Sequence, residues 1–160
     1  MGSEKQVITL YFDGLCMPKN PGGVATFGYA VYVNGKKLNE GHGLVGAGML
    51  GDDVSNNVAE YHALIRGLEY ILSTGYNGEV EIRGDSQLVI KQLCGNYAVR
   101  ARRLVGLYTR AKDLLKLFSK TTLRWIPREE NAEADRLSRM AFDDFLREHH
   151  ADYKRYYNVS

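Results

Sequence analysis

Residues 6–13, Gln-Val-Ile-Thr-Leu-Tyr-Phe-Asp, are β-branched or aromatic almost throughout, which is the pattern of a strand covered on both faces. The run predicts a first strand that stops at Asp13-Gly14, a turn signal. Pro18-Lys19-Asn20-Pro21-Gly22-Gly23 cannot extend a ladder, because proline lacks the amide that a neighbouring strand needs, and a second strand is read over Thr26 to Val33. Asn34-Gly35 then favours a type I′ turn, so Lys36 to Val45 is expected to return antiparallel. The N-terminal third is thus a three-strand meander.

From here the apolar period lengthens from two to nearly four. Glycines 46, 48 and 51 with Asp52 and Asp53 make a loop, and Ser55-Asn56-Asn57 offers cap-type side chains to a helix running to about Ser73. Tyr61, Leu64, Ile65, Leu68, Ile71 and Leu72 form its core stripe. Gly75-Tyr76-Asn77-Gly78 breaks it, and Val80 and Ile82 mark a strand ending at Gly84-Asp85. A short helix with Leu88, Val89 and Leu93 follows, then a longer one over Ala101 to Leu117. Thr121 to Ile126 reads as a last strand stopped by Pro127, and a final helix starts near Asn131 with Ala134, Leu137, Ala141 and Phe145 in line. The order βββαβααβα implies a layered α/β domain with a mixed sheet.

Composition narrows the picture without deciding it. A chain of 160 residues, 44% hydrophobic, suits one compact domain, and a net charge of +2 permits a nucleic-acid partner without demanding one. Cys16 and Cys94 are far apart, with no zinc-type spacing, and read as free thiols. The start is polar and no stretch holds the roughly 18 continuous apolar residues of a membrane span, so a cytoplasmic protein is expected. The four histidines form no metal-binding pattern.

Four carboxylates stand where surface charge has no obvious reason to be. Asp13 and Asp85 end apolar strands, Glu60 shares the buried face of Leu64 and Leu68 by its i+4 spacing, and Asp135 sits in the first turns of the last helix. Sites in open α/β sheets gather at strand ends, so these four could converge. Crowded carboxylates repel one another, which implies raised pKa values or bound cations, and hard oxygen ligands favour Mg²⁺ or Mn²⁺.

The segments around these acids resemble type 1 ribonucleases H. Tyr11-Phe12-Asp13-Gly14 with Asn20-Pro21-Gly22 is similar to the family's first strand and substrate loop, and Ser55-Asn56-Asn57-Val58-Ala59-Glu60-Tyr61-His62-Ala63-Leu64 to its first helix. Gly84-Asp85-Ser86-Gln87-Leu88-Val89 resembles the family's strand-to-helix turn, and Asn131-Ala132-Glu133-Ala134-Asp135-Arg136-Leu137 its last helix. The resemblance covers about residues 6–141 and implies a ribonuclease H-like five-stranded sheet, three antiparallel strands then two parallel, with helices on both faces. It implies an endonuclease that cuts the RNA strand of RNA/DNA hybrids with two Mg²⁺ ions, Mn²⁺ being a possible substitute, and leaves 5′-phosphate and 3′-hydroxyl ends. Asp13 would be the shared ligand, with Glu60, Asp85 and Asp135 completing the two sites. By the same resemblance Asn20, Ser55, Asn56, Asn57 and Gln87 would read the 2′-hydroxyl, and backbone groups from Gly14 through Cys16 to Met17 the minor groove.

Two departures from the family pattern stand out. The histidine many relatives carry before the last aspartate is missing from Ile126-Pro127-Arg128-Glu129-Glu130-Asn131. Arg128 is the candidate substitute, able to hold a phosphate but not to act as a general base, while a solvated loop charge is the competing reading; Glu129 or Glu130 approaching a metal is a third. The basic, tryptophan-bearing protrusion of many relatives is also shortened, leaving Arg100, Arg102, Arg103, Arg110 and Lys112 as either phosphate contacts or a solvated face. Residues 1–142 are read as the catalytic domain and 143–160 as a tail that continues the last helix or frays. A monomer without an obligatory protein partner is expected. The competing functions are another nuclease on the same fold and a hybrid-binding module without catalysis.

Overall fold

In the computed structural model, which describes residues 6–159, three long strands open the chain: β1 (Ile8–Met17), β2 (Val24–Val33) and β3 (Lys36–Ala47). Then come α1 (Asn56–Ser73), β4 (Glu79–Gly84), α2 (Gln87–Leu93), α3 (Arg102–Leu115), β5 (Lys120–Trp125) and α4 (Ala132–Tyr157). The sheet order is β3-β2-β1-β4-β5, antiparallel across β3-β2-β1 and parallel across β1-β4-β5. The expected mixed sheet and element order are both present. Asn34 and Gly35 take positive φ values of 50° and 83°, the backbone that a type I′ turn requires. The polar residues 1–5 lie outside the described part, and no helix among the described residues is long and apolar enough to cross a membrane.

Helices cover the two faces unequally. On one face α1 buries Tyr61, Leu64, Leu68 and Ile71 against Leu10, Phe12, Val80 and Ile82, and Val89, Leu93, Leu104 and Leu114 extend that core. The Tyr61 hydroxyl donates to Gln92 Oε1 at 2.7 Å, tying α1 to α2. On the other face α4 lies along β2, where the Thr26 hydroxyl donates to Ser138 O at 2.7 Å. A Cβ on Gly28 would stand 2.5 Å from Ala134 O, so helix and strand meet backbone to backbone.

Two expectations are corrected. The strand covered on both faces is β2, buried from Val24 to Val31, not β1: Ile8, Leu10 and Phe12 are buried but Thr9 and Tyr11 only half so, because α4 lies over β2 and leaves part of β1 open. Asp13-Gly14 is not a turn, since β1 runs on to Met17 paired with β2, Asp13 opposite Gly28. The glycine serves close approach instead: a Cβ at Gly14 would stand 2.5 Å from Glu60 N and Ala59 C, both in α1. Beyond residue 142 the last helix goes on, one of its two expected courses. It continues to Tyr157 through non-helical dihedrals at His149, whose half-buried ring stacks on Phe145 at 4.4 Å while His150 is exposed. Its far half forms a second small core, in which Phe142, Phe145 and Tyr153 are buried with Val24 and Ala47.

Candidate active site

Strands β1 and β4 pair as far as Phe12 opposite Gly84 and then separate, β1 staying with β2 while β4 gives way to α2. Asp13 and Asp85 are the next residues on either side of the split. The N-terminal turns of α1 and α4 reach into it and supply Glu60 and Asp135. A cavity of about 330 Å³ opens there, lined by these four acids with Asn56, Trp125 and Arg128.

Ligand oxygens of Asp13, Glu60 and Asp85 all lie within 4.8 Å of one another, the one such group of metal-type ligands among the described residues. Asp13 is 5% exposed and Glu60 4%. Burial, reinforced by the charge of Asp85, lifts the Asp13 carboxyl to about 7. Glu60 is pushed well above the usual carboxyl range by its own burial, then by the charges of Asp13 and Asp85 and by a hydrogen bond with Asp13 that favours the protonated form. Asp85 is raised by burial, offset by the Asn131 amide and the positive charge of Arg128. Asp135 faces the same cavity with its carboxylate paired to Arg139 Nε at 3.1 Å.

Backbone and amide contacts set these groups in place. Gly14 N donates to Asp13 Oδ1 at 2.9 Å, and Trp125 Nε1 donates to Asp85 O at 3.1 Å. Asn131, 1% exposed, bridges the split by donating through Nδ2 to Phe12 O at 2.9 Å and to Asp85 Oδ2 at 3.3 Å. Glu60 Oε2 and Asn131 Oδ1 are buried without any hydrogen-bond partner. Unpartnered buried oxygens beside three crowded carboxylates fit a hard divalent cation, which would satisfy the oxygens and relieve the repulsion together.

Other residues singled out in the sequence fall into an adjoining groove. Asn20, Ser55, Asn56 and Asn57 line it with Arg100 and Arg103. Ser55 is the N-cap of α1, its hydroxyl accepting from Val58 N, so the cap belongs to it rather than to Asn56 or Asn57. Gln87 and Cys16 line neither opening; Gln87 is exposed at the start of α2, and the buried Cys16 thiol donates to Lys19 O. Glu130 borders a separate cavity with Tyr11 and Arg83, away from the acids. Of the basic set near α3, Arg103 pairs with Asp53, Arg110 with Glu69, and Lys112 donates to Leu93 O.

Trp125 and Asn131 escaped the reading from sequence, where Asn131 marked only a helix start. A sole tryptophan ending the strand that pairs with Gly84 was the available signal for Trp125.

Comparison with known proteins gives the same picture. A family model described as "Reverse transcriptase-like" matches residues 25–141. Ribonuclease HI of Halobacterium salinarum is 38% identical over 134 residues, 84% of this chain and 63% of its own length. The chain therefore spans less than two thirds of that curated relative. The crystal structure of RNase H1 from the same archaeon superposes with a TM-score of 0.77 at 37% identity, covering 86% of this chain and 98% of the solved one. LC11-RNase H1, solved in complex with an RNA/DNA hybrid, gives 0.77 at 34% identity, covering 87% and 99%. On the strength of these matches and of the sheet order, the chain belongs to the type 1 ribonuclease H family.

Proposed function

We propose that this protein is an endonuclease that hydrolyses the RNA strand of RNA/DNA hybrids, acting as a monomer in the cytoplasm. The observation that carries the reading is the meeting of Asp13, Glu60 and Asp85 within 4.8 Å, with Asp135 on the same cavity and a buried Glu60 oxygen left unpartnered. The solved hybrid complex of LC11-RNase H1 supports the choice of substrate.

Asp13 would be shared between two ions, with Glu60, Asp85 and Asp135 completing their protein ligands. Two Mg²⁺ ions held there would supply an activated water for attack on phosphorus and charge stabilisation for the leaving 3′-oxygen, which would give a 5′-phosphate and a 3′-hydroxyl. Asp135 has to exchange its pairing with Arg139 for this role, at small cost because an exposed pair contributes little. Asn131 and Trp125 hold Asp85 at the end of β4, and Arg128, beside it, can receive a phosphate oxygen.

Hybrid discrimination falls to groups that both donate and accept. Asn20, Asn56 and Asn57 line the groove beside the acids, where their amides can meet a 2′-hydroxyl. To Gln87, exposed at the start of α2, and to the backbone from Gly14 to Cys16 we assign further minor-groove contacts, although Gln87 and Cys16 lie outside the two openings.

The test is incubation with labelled RNA/DNA hybrid, double-stranded RNA and double-stranded DNA, each with Mg²⁺, Mn²⁺ or chelator. Cleavage of the hybrid alone, dependent on the divalent ion and reduced at least about 10³-fold in Asp13→Asn, is expected. Equal cutting of all three substrates, or undiminished turnover in that variant, would reject the reading.

A further inference from the structure

The tyrosine-rich end of α4 is far along the helix from Asp135, yet it reaches the loop that carries Asn20. The Tyr157 hydroxyl donates to Gly22 O at 2.9 Å and accepts from Met49 N at 3.2 Å. Its ring packs against Tyr153 and Tyr156, with centroids at 5.2 and 4.8 Å, which limits where the hydroxyl can point. The loop is held on its inner side too, Gly22 N donating to Val54 O at 2.9 Å and Gly48 N to Gly23 O at 3.1 Å.

Two residues before Gly22, the same loop clasps the start of α1. Asn20 Nδ2 donates to Asn56 Oδ1 at 2.7 Å, and Asn56 N donates to Asn20 Oδ1 at 2.9 Å. Asn56 is also the residue common to the acid cavity and the adjoining groove. A continuous set of hydrogen bonds therefore runs from the last turn of α4, through the loop, to a wall of the cleft. The Asn20 clasp is exposed, and an exposed hydrogen bond holds its geometry only if the chain beneath it is fixed.

We infer that Tyr157 is a positioning residue for substrate: its hydroxyl fixes residues 18–23 so that Asn20 holds Asn56 where the hybrid's minor groove is read. The inference rests on the proposed hybrid nuclease function. It assigns a role in binding to residues 143–157, read from the sequence as a tail that continues the last helix or frays. Because Tyr157 touches neither the acids nor the reacting phosphate, its loss should loosen hybrid binding and leave the chemical step alone.

Tyr157→Phe keeps the ring and removes both hydrogen bonds. The expected result with an RNA/DNA hybrid in Mg²⁺ is a KM raised about 3- to 10-fold, with kcat within about twofold of the parent. Amide hydrogen exchange should quicken over residues 18–23 and 48–50. Asn20→Ala should raise KM similarly, and the double variant should be little worse than the weaker-binding single one, as expected for residues acting in one network. Unchanged exchange over residues 18–23, an unchanged KM, or two single effects that multiply in the double variant would each overturn the inference. A loss of kcat that tracks a fall in melting temperature would reduce Tyr157 to a purely structural role and overturn it as well. Parent protein that cleaves no hybrid would overturn the functional reading itself, and the binding role of Tyr157 with it.

Discussion

The body of the fold and the split between β1 and β4 both bury polar groups, and they treat them differently. In the body, Tyr61 is matched to Gln92 and Thr26 to the Ser138 carbonyl, each at 2.7 Å. At the split, Glu60 Oε2 and Asn131 Oδ1 are buried unpartnered, and three carboxylates crowd together. Matched pairs hold helices to the sheet and to each other, whereas the unmatched oxygens make the split a place where folding alone is incomplete. The contrast separates residues kept for stability from residues kept for a ligand, and each group should respond to a different perturbation.

The largest effect is expected from protonation at the split. Asp13 is held at about 7 in the folded chain against an ordinary 3.8, so below about pH 4 both folded and unfolded chains carry its proton and stability is full. As pH rises toward 7 the unfolded chain releases that proton and the folded chain does not, so stability is lost across this window and stays reduced above it. At about 1.4 kcal/mol per pKa unit the loss amounts to as much as about 4 kcal/mol in chelator, recovered by millimolar Mg²⁺. Urea titrations between pH 4 and 8 check it, and Asp13→Asn should flatten the profile while raising stability at pH 8. A profile in chelator that rises with pH would contradict it.

An intermediate effect is expected in the body. Tyr61→Phe strips the partner from buried Gln92 and should destabilise the protein by about 1–3 kcal/mol by chemical denaturation, with kcat per folded molecule retained. A comparable loss of kcat would erase the separation drawn between the two regions.

The smallest effect belongs to Arg128. Arg128→Ala should lower kcat/KM for the hybrid by about 3- to 10-fold, roughly 1 kcal/mol, through weaker phosphate binding. Without the positive charge of Arg128 the Asp85 carboxyl should rise further, so the acid limb of the pH–rate profile should move to higher pH while every limb is kept. The disappearance of a limb would make the residue part of proton movement.

What could be read in the sequence was whatever local chemistry decides. Asn34-Gly35 stands between two strand-patterned runs, where the pair favours the positive φ of a type I′ turn, so the hairpin was plain, and Glu60 four residues before Leu64 had to face the sheet. Asp13-Gly14 misled because the same dipeptide serves a turn or a close approach, and only the position of α1 against β1 decides which. Asn131 and Trp125 were missed for a related reason: their partners, the Phe12 carbonyl and the Asp85 backbone, are free to accept only because β1 and β4 part company there. The basic residues near α3 looked like one surface until distant Asp53 and Glu69 claimed two of them. The packing of residues 143–157 rests on a pocket built from β2 and the Met49 turn, more than ninety positions earlier in the chain.

Gly14 carries one more implication. With α1 against its bare Cα, the distance from Asp13 on the strand to Glu60 on the helix is set by backbone contact rather than by side-chain rotamers. With an ion held by both acids that distance would be the bite of a chelate, and its stiffness would bear on which ion is accepted. Mg²⁺ takes oxygens at about 2.0–2.1 Å in near-ideal octahedral geometry, while Ca²⁺ tolerates about 2.3–2.6 Å and looser shapes. A methyl group at position 14 would wedge helix from strand and widen the bite toward the larger ion, so in the proposed metal site the smallest residue of the cleft would be its gauge for ionic radius.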